Sequence, residues 1–515
     1  MAMDTHSVLA VLLIVGATLP YFLSGYWKPF FYKLPYPPGP PGSLIAGNAK
    51  DIPSKKPWVI YANWAKQYGD IVYFRIYRQH TIVLSSMEDC IELFEKRAKI
   101  YSDRPETIMM GLMGWDFNVG LMPYSNEWRQ HRKLFQQQFR PSASLKYRPI
   151  QMKKVHDMLR GILASPEDFR AHFRTLAAAV VMSAMYGYDI APTNDYFTSL
   201  AEQAVAKLSD SILPGAAVVN AIPMFRHLPA WFPGAAFKRY ANEAKKLTTA
   251  MQVVPFKLVK ERMAAGTADY TMVSGVLEDL HARGGPKDYE AVVQHVAATA
   301  YAAGADTTVS SIGTMFYALS THPEVQKKAQ NEIDTIVGPH RLPTFEDRSS
   351  LPYTEAIFRE ILRWRPVLPL GVYHGTSEDD VYKGYFIPKG TTVIPNAWAL
   401  GHNEATYPQP ELFNPERFFD KDGKLNSDDV GFVFGFGRRI CPGRHMASTT
   451  VWLALVSILA TFDLKRAKDA AGNEIPISGE YTDGLVSHPL NHECSITLRS
   501  EEVRRLIVQS GGVGI

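Results

Sequence analysis

Two long apolar runs stand out in the pattern of hydrophobic and polar positions along the 515 residues. Residues 7–23 lie in a stretch with no charge between Asp4 and Lys28, and a bilayer-spanning helix needs about 20 such residues. Residues 291–323 contain one carboxylate, Asp306, and a helix of this length would be roughly 48 Å long. The pattern therefore predicts an amino-terminal membrane anchor and a central helix that crosses a domain.

The first run is interpreted as an anchor over residues 1–33, the alternative being a cleaved signal peptide. Residues 1–6 contain no lysine or arginine, and the run ends in bulky aromatic residues where a cleavage site needs small ones. Lys28 and Lys33 follow the run, and this positive charge predicts that the remaining chain is cytosolic. For the second run, internal polar residues make a membrane span a poor alternative.

The remaining patterns predict one mainly α-helical domain with a small β region over residues 44–515. Residues 71–84 contain two β-rich stretches separated by a polar turn, which is typical of a hairpin. Residues 351–365 have the pattern of an amphipathic helix, and residues 447–464 are apolar enough for a buried one. The proline-rich residues 34–43 suit neither a helix nor a central strand and predict a stiff, extended hinge.

Composition and charge exclude several classes of protein. The formal net charge of +4 is small for this length and argues against a nucleic-acid partner. The hydrophobic fraction of 46% is ample for a large core. Cys90, Cys441 and Cys494 are too few and too widely spaced for a disulfide framework or for a zinc site built from paired cysteines.

The most informative segment is residues 431–446, GFVFGFGRRICPGRHM. Gly435 and Gly437 predict a loop with positive φ angles and close backbone contacts. Pro442 suits the first position of a helix, which predicts Cys441 at the N-cap. There the helix dipole and free amides favour a thiolate, which is a good metal ligand. The alternative is that this cysteine is a small buried hydrophobic residue.

This segment matches the pattern F-x-x-G-x-R-x-C-x-G, for which a chance match is on the order of 10⁻⁴. It resembles the haem-ligand loop of the cytochrome P450 family, in which a cysteine thiolate binds the haem iron. The resemblance implies the cytochrome P450 fold, haem b as the cofactor and Cys441 as the metal ligand. Further haem contacts implied within the loop are Phe434, Gly437, Arg439 and Gly443.

Other haem contacts are implied outside the loop. Trp128 and Arg132 lie four residues apart on a predicted helix over residues 128–139, a spacing that resembles the family's propionate-binding helix. The alternative is a solvated basic helix. His374 is a further candidate for a propionate, with a surface histidine as the alternative.

The central run contains AGADTT at residues 303–308, which resembles the oxygen-activation motif of the family. The resemblance implies that Gly304 lets the helix open over the haem while Asp306 and Thr307 relay protons to the oxygen being reduced. A carboxylate in an apolar helix is costly unless something uses it. The simpler alternative is that a threonine hydroxyl bonds back to the helix and bends it.

A third motif has a structural role. Glu360 and Arg363 are three residues apart and match the family's E-x-x-R, and Arg417 matches the arginine that completes its buried triad. The resemblance implies that these three residues hold the core beneath the cysteine loop. An isolated pair at this spacing is otherwise more often a weak surface ion pair.

By resemblance, the substrate-contacting segments are residues 108–121, 208–222, 298–307, 367–372 and 484–490. The candidate lining residues are Ile108, Met113, Phe117, Ala302, Ala303, Leu368 and Leu485. These side chains are apolar, which suits a terpenoid, steroid, fatty or polycyclic substrate. Each could equally belong to an ordinary core, and the sequence leaves the substrate open.

Taken together, the motifs resemble the eukaryotic, membrane-anchored members of the family, fungal ones included. The resemblance implies a monooxygenase of the endoplasmic reticulum membrane that receives electrons from NADPH-cytochrome P450 reductase, with cytochrome b5 as a further candidate donor. The candidate docking residues for the reductase are Arg129, Lys133, Arg438 and Arg444. The alternatives are an isomerase or dehydratase that needs no external electrons and a non-catalytic haem-binding membrane protein.

Overall fold

A computed structural model describes residues 34–192, 194–212, 218–221, 223–232, 234–286 and 288–511. The predicted membrane anchor, residues 1–33, lies outside these ranges. Among the helices that the structure describes, none combines the length and the apolar character that crossing a bilayer requires.

The described chain is mainly helical, as the sequence predicts. In chain order the α-helices are α1 Pro57–Tyr68, α2 Met87–Ile91, α3 Ala98–Tyr101, α4 Ile108–Leu112, α5 Asn126–Phe139, α6 Pro141–Ser144, α7 Arg148–Ala164, α8 Phe169–Tyr186, α9 Tyr196–Ile212, α10 Val218–Ala221, α11 Ala236–Ala264, α12 Met272–Ala282, α13 Tyr289–Thr321, α14 Pro323–Ile336, α15 Pro352–Trp364, α16 Ala397–Gly401, α17 Arg444–Thr461 and α18 Glu501–Gln509. Shorter helical turns are a π-helical turn at Glu92–Lys96 and 3₁₀ turns at Leu145–Tyr147, Pro166–Asp168, Pro223–His227, Phe345–Ser350, Pro415–Phe418, Gly431–Phe434 and Gly437–Arg439.

The β region consists of three small sheets. The strands are β1 Ile71–Ile76, β2 Gln79–Leu84, β3 His374–Gly375, β4 Asp380–Tyr382, β5 Tyr385–Ile387, β6 Thr392–Pro395, β7 Phe462–Arg466 and β8 Cys494–Leu498. The largest sheet has the order β1-β2-β6-β3, and β4-β5 and β7-β8 form separate pairs. Strands β1 and β2 are antiparallel with Ile71 opposite Leu84, which confirms the predicted hairpin.

The proline-rich segment packs against the β region. The Pro38 carbonyl accepts from the Tyr73 amide at 2.8 Å, and the rings of Tyr36 and Tyr73 stack 4.8 Å apart. A Cβ added at Gly39 would lie 1.8 Å from the Tyr73 carbonyl oxygen, so the proline-rich segment and strand β1 are in contact through their backbones. Residues 36–39 are therefore held along β1.

The predicted central helix is α13, which has 33 residues. Most of its side chains are buried on all sides, because its apolar positions are distributed round the whole helix. It ends where Pro323 follows: His322 has φ −128° and ψ 72°, since a residue before proline is forced out of the helical region. The buried helix predicted after the cysteine loop is also confirmed as α17, which packs against α13.

Candidate functional site

The cysteine loop is fixed by its own backbone. The Cys441 amide donates to the Phe434 carbonyl at 2.8 Å and closes the loop. Gly435 has φ 80° and Gly437 has φ 51°, which confirms the predicted positive angles. A Cβ added at Gly437 would lie 2.2 Å from the Phe94 carbonyl oxygen. This glycine is therefore required by a close approach to the π-helical turn.

The helix after the loop begins later than the sequence predicts. Its N-cap is Gly443 and its first residue is Arg444, so the prediction of Cys441 as N-cap and Pro442 as first helical residue is wrong. The Cys441 amide is engaged by the loop, and the two following residues form a turn before the helix starts.

The electrostatics of the Cys441 thiol have opposing causes. Burial raises its pKa, while backbone hydrogen bonds from Gly443 and Arg444 and the charges of Arg132 and Arg444 lower it. The net shift is upward, so the amides at the helix start lower the pKa as the sequence predicts, but burial outweighs them. A bound metal cation deprotonates a coordinating thiol outright, and the amides and guanidinium groups then stabilise the sulfur's negative charge.

Open space adjoins both the cysteine and the central helix. Protein surrounds Cys441, yet part of its surface stays accessible, and a Cβ added at Gly443 would meet no described atom within 4 Å. On α13, Ala303 is exposed while the preceding Ala302 is 4% exposed. Ala303 therefore faces open space rather than packed core.

Basic and aromatic side chains converge beside the loop. The Nε of Arg439 donates to the Ser102 carbonyl at 2.7 Å, and its guanidinium carbon lies 4.3 Å from the centre of the Trp128 ring. The Nη2 of Arg132 donates to the Ile440 carbonyl at 2.7 Å. Trp128 is 4% and Arg132 9% exposed, so this face of α5 is buried and the alternative of a solvated helix is wrong.

Two more basic residues complete this cluster. His374 is 4% exposed, and its Nδ1 lies 2.7 Å from the Tyr101 carbonyl oxygen, so the alternative of a surface histidine is wrong. Sequence reasoning missed Arg104, whose Nη1 donates to the Tyr373 carbonyl at 2.7 Å. Burial lowers the pKa of His374 well below its usual value, and the positive charge of Arg104 adds to this effect. No local pattern in the sequence marks Arg104.

The cluster lacks a negative counterpart. Burial lowers the pKa of Arg132 and of Arg439 to about 10, and the Nε of Arg132 has no hydrogen-bond partner among the described residues. The nearby Asp103 raises the pKa of Arg439, but its Oδ1 is already bonded to the backbone amides of Arg104 and Tyr124. Converging buried cations are costly without an anion, and so the cluster suits a ligand that carries carboxylates.

The central helix presents a carboxylate and a hydroxyl at the exposed turn. Asp306 Oδ1 lies 3.1 Å from His488 Nε2, and because a carboxylate only accepts, this nitrogen carries the proton. The Thr307 hydroxyl donates to the Ala303 carbonyl at 2.8 Å. Sequence reasoning missed His488 as a partner, although it lies in the predicted substrate segment at residues 484–490.

The loop that carries His488 is fixed on both sides. The Ser310 hydroxyl, one turn beyond Asp306, donates to the Ser487 carbonyl at 2.5 Å. The Ser487 amide donates to the Val367 carbonyl at 2.9 Å. The His488 amide donates to the Thr482 hydroxyl at 2.9 Å. The imidazole is therefore held next to the carboxylate by the backbone of its own loop.

Gly304 has a packing function in this structure. A Cβ at this position would lie 2.6 Å from Cγ2 of Val181 on α8, so glycine permits the two helices to approach closely. Helix α13 is unbroken through residues 303–308. The structure therefore does not show the opening of the helix that the motif predicts at Gly304.

Comparison with known proteins now decides the family. The sequence model of the cytochrome P450 family matches residues 37–495. The chain belongs to the cytochrome P450 family. It is 40% identical over 478 residues to cytochrome P450 monooxygenase COX2 of Coprinopsis cinerea, covering 92% of this chain and 91% of that protein.

Other relatives of this P450 are similar over almost their whole length. Cytochrome P450 monooxygenase ple1 of Rhodocybe pseudopiperita is 39% identical over 510 residues, covering 98% of this chain and 97% of that protein. The corresponding monooxygenase claR of Ampulloclitocybe clavipes is 39% identical over 475 residues, covering 92% of this chain and 88% of that protein. This P450 is therefore a monooxygenase whose cofactor is haem and whose electrons come from NAD(P)H through a reductase.

The residues of this P450 fit that cofactor. Haem carries two propionates, which would supply the anions that the buried cluster of Arg104, Arg132, His374 and Arg439 lacks. Cys441 is half-buried, and its thiol would bind the iron. Phe434 and Gly443 belong to the same loop as Cys441, and both are half-buried.

Beneath the loop of this P450, Glu360, Arg363 and Arg417 come together in the interior. Arg363 forms a bidentate ion pair with Glu360, Nε–Oε2 at 2.6 Å and Nη2–Oε1 at 2.8 Å. Arg417 Nε lies 3.1 Å from Glu360 Oε1. The side chains of Glu360 and Arg363 are fully buried, so the alternative of a surface pair is wrong. The triad ties α15 to the 3₁₀ turn Pro415–Phe418.

The predicted substrate segments of this P450 border the central helix. The Val119 amide donates to the Thr299 hydroxyl at 3.2 Å, which ties residues 108–121 to α13. Residues 213–217 and 222 of the second segment lie outside the described ranges. Of the candidate lining residues, Met113, Phe117 and Ala302 are buried, Ile108, Leu368 and Leu485 are half-buried, and Ala303 is exposed.

Proposed function

We propose that this P450 oxidises an apolar organic molecule of terpenoid, steroid, fatty or polycyclic type, with Cys441 as the iron ligand. The observation that carries the proposal is a half-buried cysteine beside a cluster of guanidinium groups whose neighbouring carboxylate, Asp103, is already bonded to backbone amides. Haem bound there supplies the activation of dioxygen, in which one oxygen atom enters the substrate and the other leaves as water. Trp128, Arg132, His374, Arg439 and Arg104 hold the propionates.

Proton supply is assigned to the exposed turn of α13. Thr307 has a hydroxyl that both donates and accepts, and it borders open space one residue from Asp306. Its bond to the Ala303 carbonyl is local, so a rotation about χ1 frees the hydroxyl for a new partner. Asp306 receives protons from His488 at 3.1 Å, which gives the relay a second titratable group.

The proposed substrate class follows from the lining of the open space. Ala302 and Ala303 leave room beside the turn, and Leu368 and Leu485 come from two loops that are bonded to each other through Ser487 and Val367. Apolar side chains of this kind bind a substrate by burial and orient it with few polar contacts. A charged substrate would lose its hydration there without compensation.

Electrons are proposed to come from NADPH-cytochrome P450 reductase, with cytochrome b5 as an additional donor. Tyr124 lies between two candidate docking residues: the Arg129 guanidinium is 4.8 Å and the Arg438 guanidinium 5.4 Å from its ring centre. Arg129, Arg438 and Lys133 are exposed. A cationic surface of this kind steers an acidic partner by charge.

We further propose that residues 1–33 anchor the chain in the endoplasmic reticulum membrane with residues 44–515 as one cytosolic catalytic domain. The support is the uncharged run between Asp4 and Lys28 followed by positive charge. A partner held in the same membrane would have a raised effective concentration.

The test is reconstitution of the full chain in microsomes with the reductase and a panel of apolar compounds. We expect product only when NADPH, reductase and oxygen are all present, with one oxygen atom from ¹⁸O₂ in the product. Product formed without NADPH would support an isomerase or dehydratase instead. If no apolar compound changed the absorption spectrum of the haem-loaded protein and no NADPH were consumed, the result would support the alternative of a non-catalytic haem-binding protein.

The docking surface is tested separately by Arg438→Glu. We expect a severalfold higher KM for reductase and a weaker dependence of turnover on salt, since one attractive charge becomes repulsive. Lys421→Glu, a charge reversal at another exposed site, is the matched control. Equal effects of the two variants would contradict the assignment of this surface.

A further inference from the structure

A second group of potential metal ligands lies where α5 crosses the central helix. His131 Nε2 and His295 Nδ1 are 3.0 Å apart, and the two rings are nearly parallel with centres 5.2 Å apart. One ligand atom from each histidine and a carboxylate oxygen of Glu127 all lie within 4.8 Å of one another. In the described part of the chain, no other group of three such residues comes together in this way.

The ring orientation of His131 is set by α5 itself. Its Nδ1 lies 2.8 Å from the Glu127 carbonyl oxygen, and since a carbonyl only accepts, Nδ1 carries the proton and Nε2 has a free lone pair. Metal-binding histidines commonly have this arrangement, with the second ring nitrogen donating to a backbone carbonyl. His131 is 1% exposed, so its ring is fixed by packing.

The facing histidine is in the form that binds metals. Burial lowers the pKa of His295 to about 4, and the neighbouring His131 adds to this effect. His295 is therefore neutral near pH 7. With His131 Nε2 as the acceptor, His295 donates a hydrogen bond from its Nδ1–H. If His295 instead carried its proton on its own Nε2, the lone pairs of His295 Nδ1 and His131 Nε2 would face each other.

We propose that Glu127, His131 and His295 form a binding site for a divalent transition-metal ion of the zinc class, independent of the haem. A tetrahedral ion with Zn–N distances of about 2.0–2.1 Å separates its ligand nitrogens by roughly 3.3 Å. The observed separation is 3.0 Å with the two nitrogens facing each other, so the rings must move apart by a few tenths of an ångström and rotate to direct both lone pairs at one ion. Two imidazoles and one carboxylate leave the fourth position to water, as in open zinc sites.

The surroundings of the site allow an ion to enter from solvent, and a bound ion would link two helices beside the proposed cofactor site. Glu127 is exposed, so the site opens to solvent at the first turn of α5. His131 precedes Arg132, a proposed propionate ligand, and His295 lies on the helix that carries Asp306. A bound ion would therefore fix α5 to α13 next to the cofactor, and the folded state would gain stability by mass action.

The test is zinc binding to the full-length haem-loaded protein after removal of metals with a chelating resin. We expect wild-type protein to bind one ZnCl₂ equivalent beyond the haem iron in calorimetric titration, and to retain it in elemental analysis after gel filtration. His295→Gln and Glu127→Gln should each weaken binding by about tenfold or more, and zinc should raise the thermal midpoint of the wild type only. His340→Gln removes an exposed histidine and should bind as the wild type does.

The ferrous–CO spectrum of each variant reports whether haem and fold are intact. If His295→Gln fails to retain haem, Glu127→Gln decides the outcome, because its side chain is exposed and its removal leaves the core unchanged. The proposal is overturned if wild-type protein shows no saturable zinc binding. Equal binding by the wild type and Glu127→Gln would overturn it as well.

Discussion

The two sides of the proposed haem site differ in how their polar groups are satisfied. On the cysteine side, formed by residues 434–443 and the triad of Glu360, Arg363 and Arg417, the three charged side chains of the triad pair with one another in the interior. On the threonine side, formed by residues 303–308 and His488, the Thr307 hydroxyl bonds to a carbonyl of its own helix, and Asp306 pairs with His488 from a distant loop. One side is built to stay fixed, and the other keeps groups available for substrate and protons.

This difference predicts which substitutions should prevent folding and which should alter only the reaction that the folded protein carries out. A buried charge that loses its partner destabilises the whole fold. A hydroxyl with a single local bond can be removed at little cost to folding. Substitutions on the cysteine side should therefore lower the free energy of unfolding. Substitutions on the threonine side should instead lower the amount of product formed per dioxygen consumed.

The largest effect is expected from Glu360→Gln. It leaves the guanidinium groups of Arg363 and Arg417 buried without a negative charge, which costs about 3–5 kcal/mol. We expect little or no haem-loaded protein, measured by the ferrous–CO band per milligram and by urea unfolding. Glu346→Gln removes the carboxylate of an exposed pair with Arg148 and should change neither. A Glu360→Gln protein of normal stability would show that the cysteine side is not held by this triad.

The next effect is expected from Thr307→Ala. Loss of the hydroxyl should lower product per dioxygen consumed by about tenfold or more and release hydrogen peroxide instead, with unfolding unchanged. Thr307→Ser should restore most of the coupling. Thr308→Ala, which alters the adjacent buried threonine, is the control for a general disturbance of α13. Unchanged coupling in Thr307→Ala would show that protons reach the site by another route.

A smaller effect is expected from His488→Leu. The variant removes the donor to Asp306, and a hydrogen bond of about 1 kcal/mol corresponds to roughly a fivefold effect. We expect lower coupling and a larger solvent deuterium isotope effect on turnover, while His488→Gln, which keeps a donor, should lie between it and the wild type. If only the substrate KM changed, His488 would belong to the substrate pocket rather than to the relay.

The sequence predicts the cysteine side well because its parts are contiguous motifs. The loop from Phe434 to Gly443 and the spacing of Glu360 and Arg363 can each be recognised within a few turns of chain. Local geometry still differs at the start of α17, because the Cys441 amide bonds to the Phe434 carbonyl and delays the helix. That bond depends on the folded loop and leaves no trace in the sequence pattern.

The threonine side is less predictable because its contacts join distant parts of the chain. His488 meets Asp306 across 182 positions of sequence. The same holds for Arg104 beside the cysteine loop, which joins the basic cluster from a segment without any motif. The motif predicts that Gly304 opens the helix, but the close contact with Val181 on another helix is what requires glycine there. A single sequence does not record which helix will pack against which.

The most direct measurement is the ferrous–CO spectrum of the wild type and of Cys441→Ser, whose hydroxyl replaces the thiol with little change in size. We expect the strongly red-shifted Soret band of a thiolate-ligated haem in the wild type, and its complete loss in Cys441→Ser together with turnover. A Cys441→Ser protein that kept the red-shifted band would contradict the assignment of Cys441 as the iron ligand.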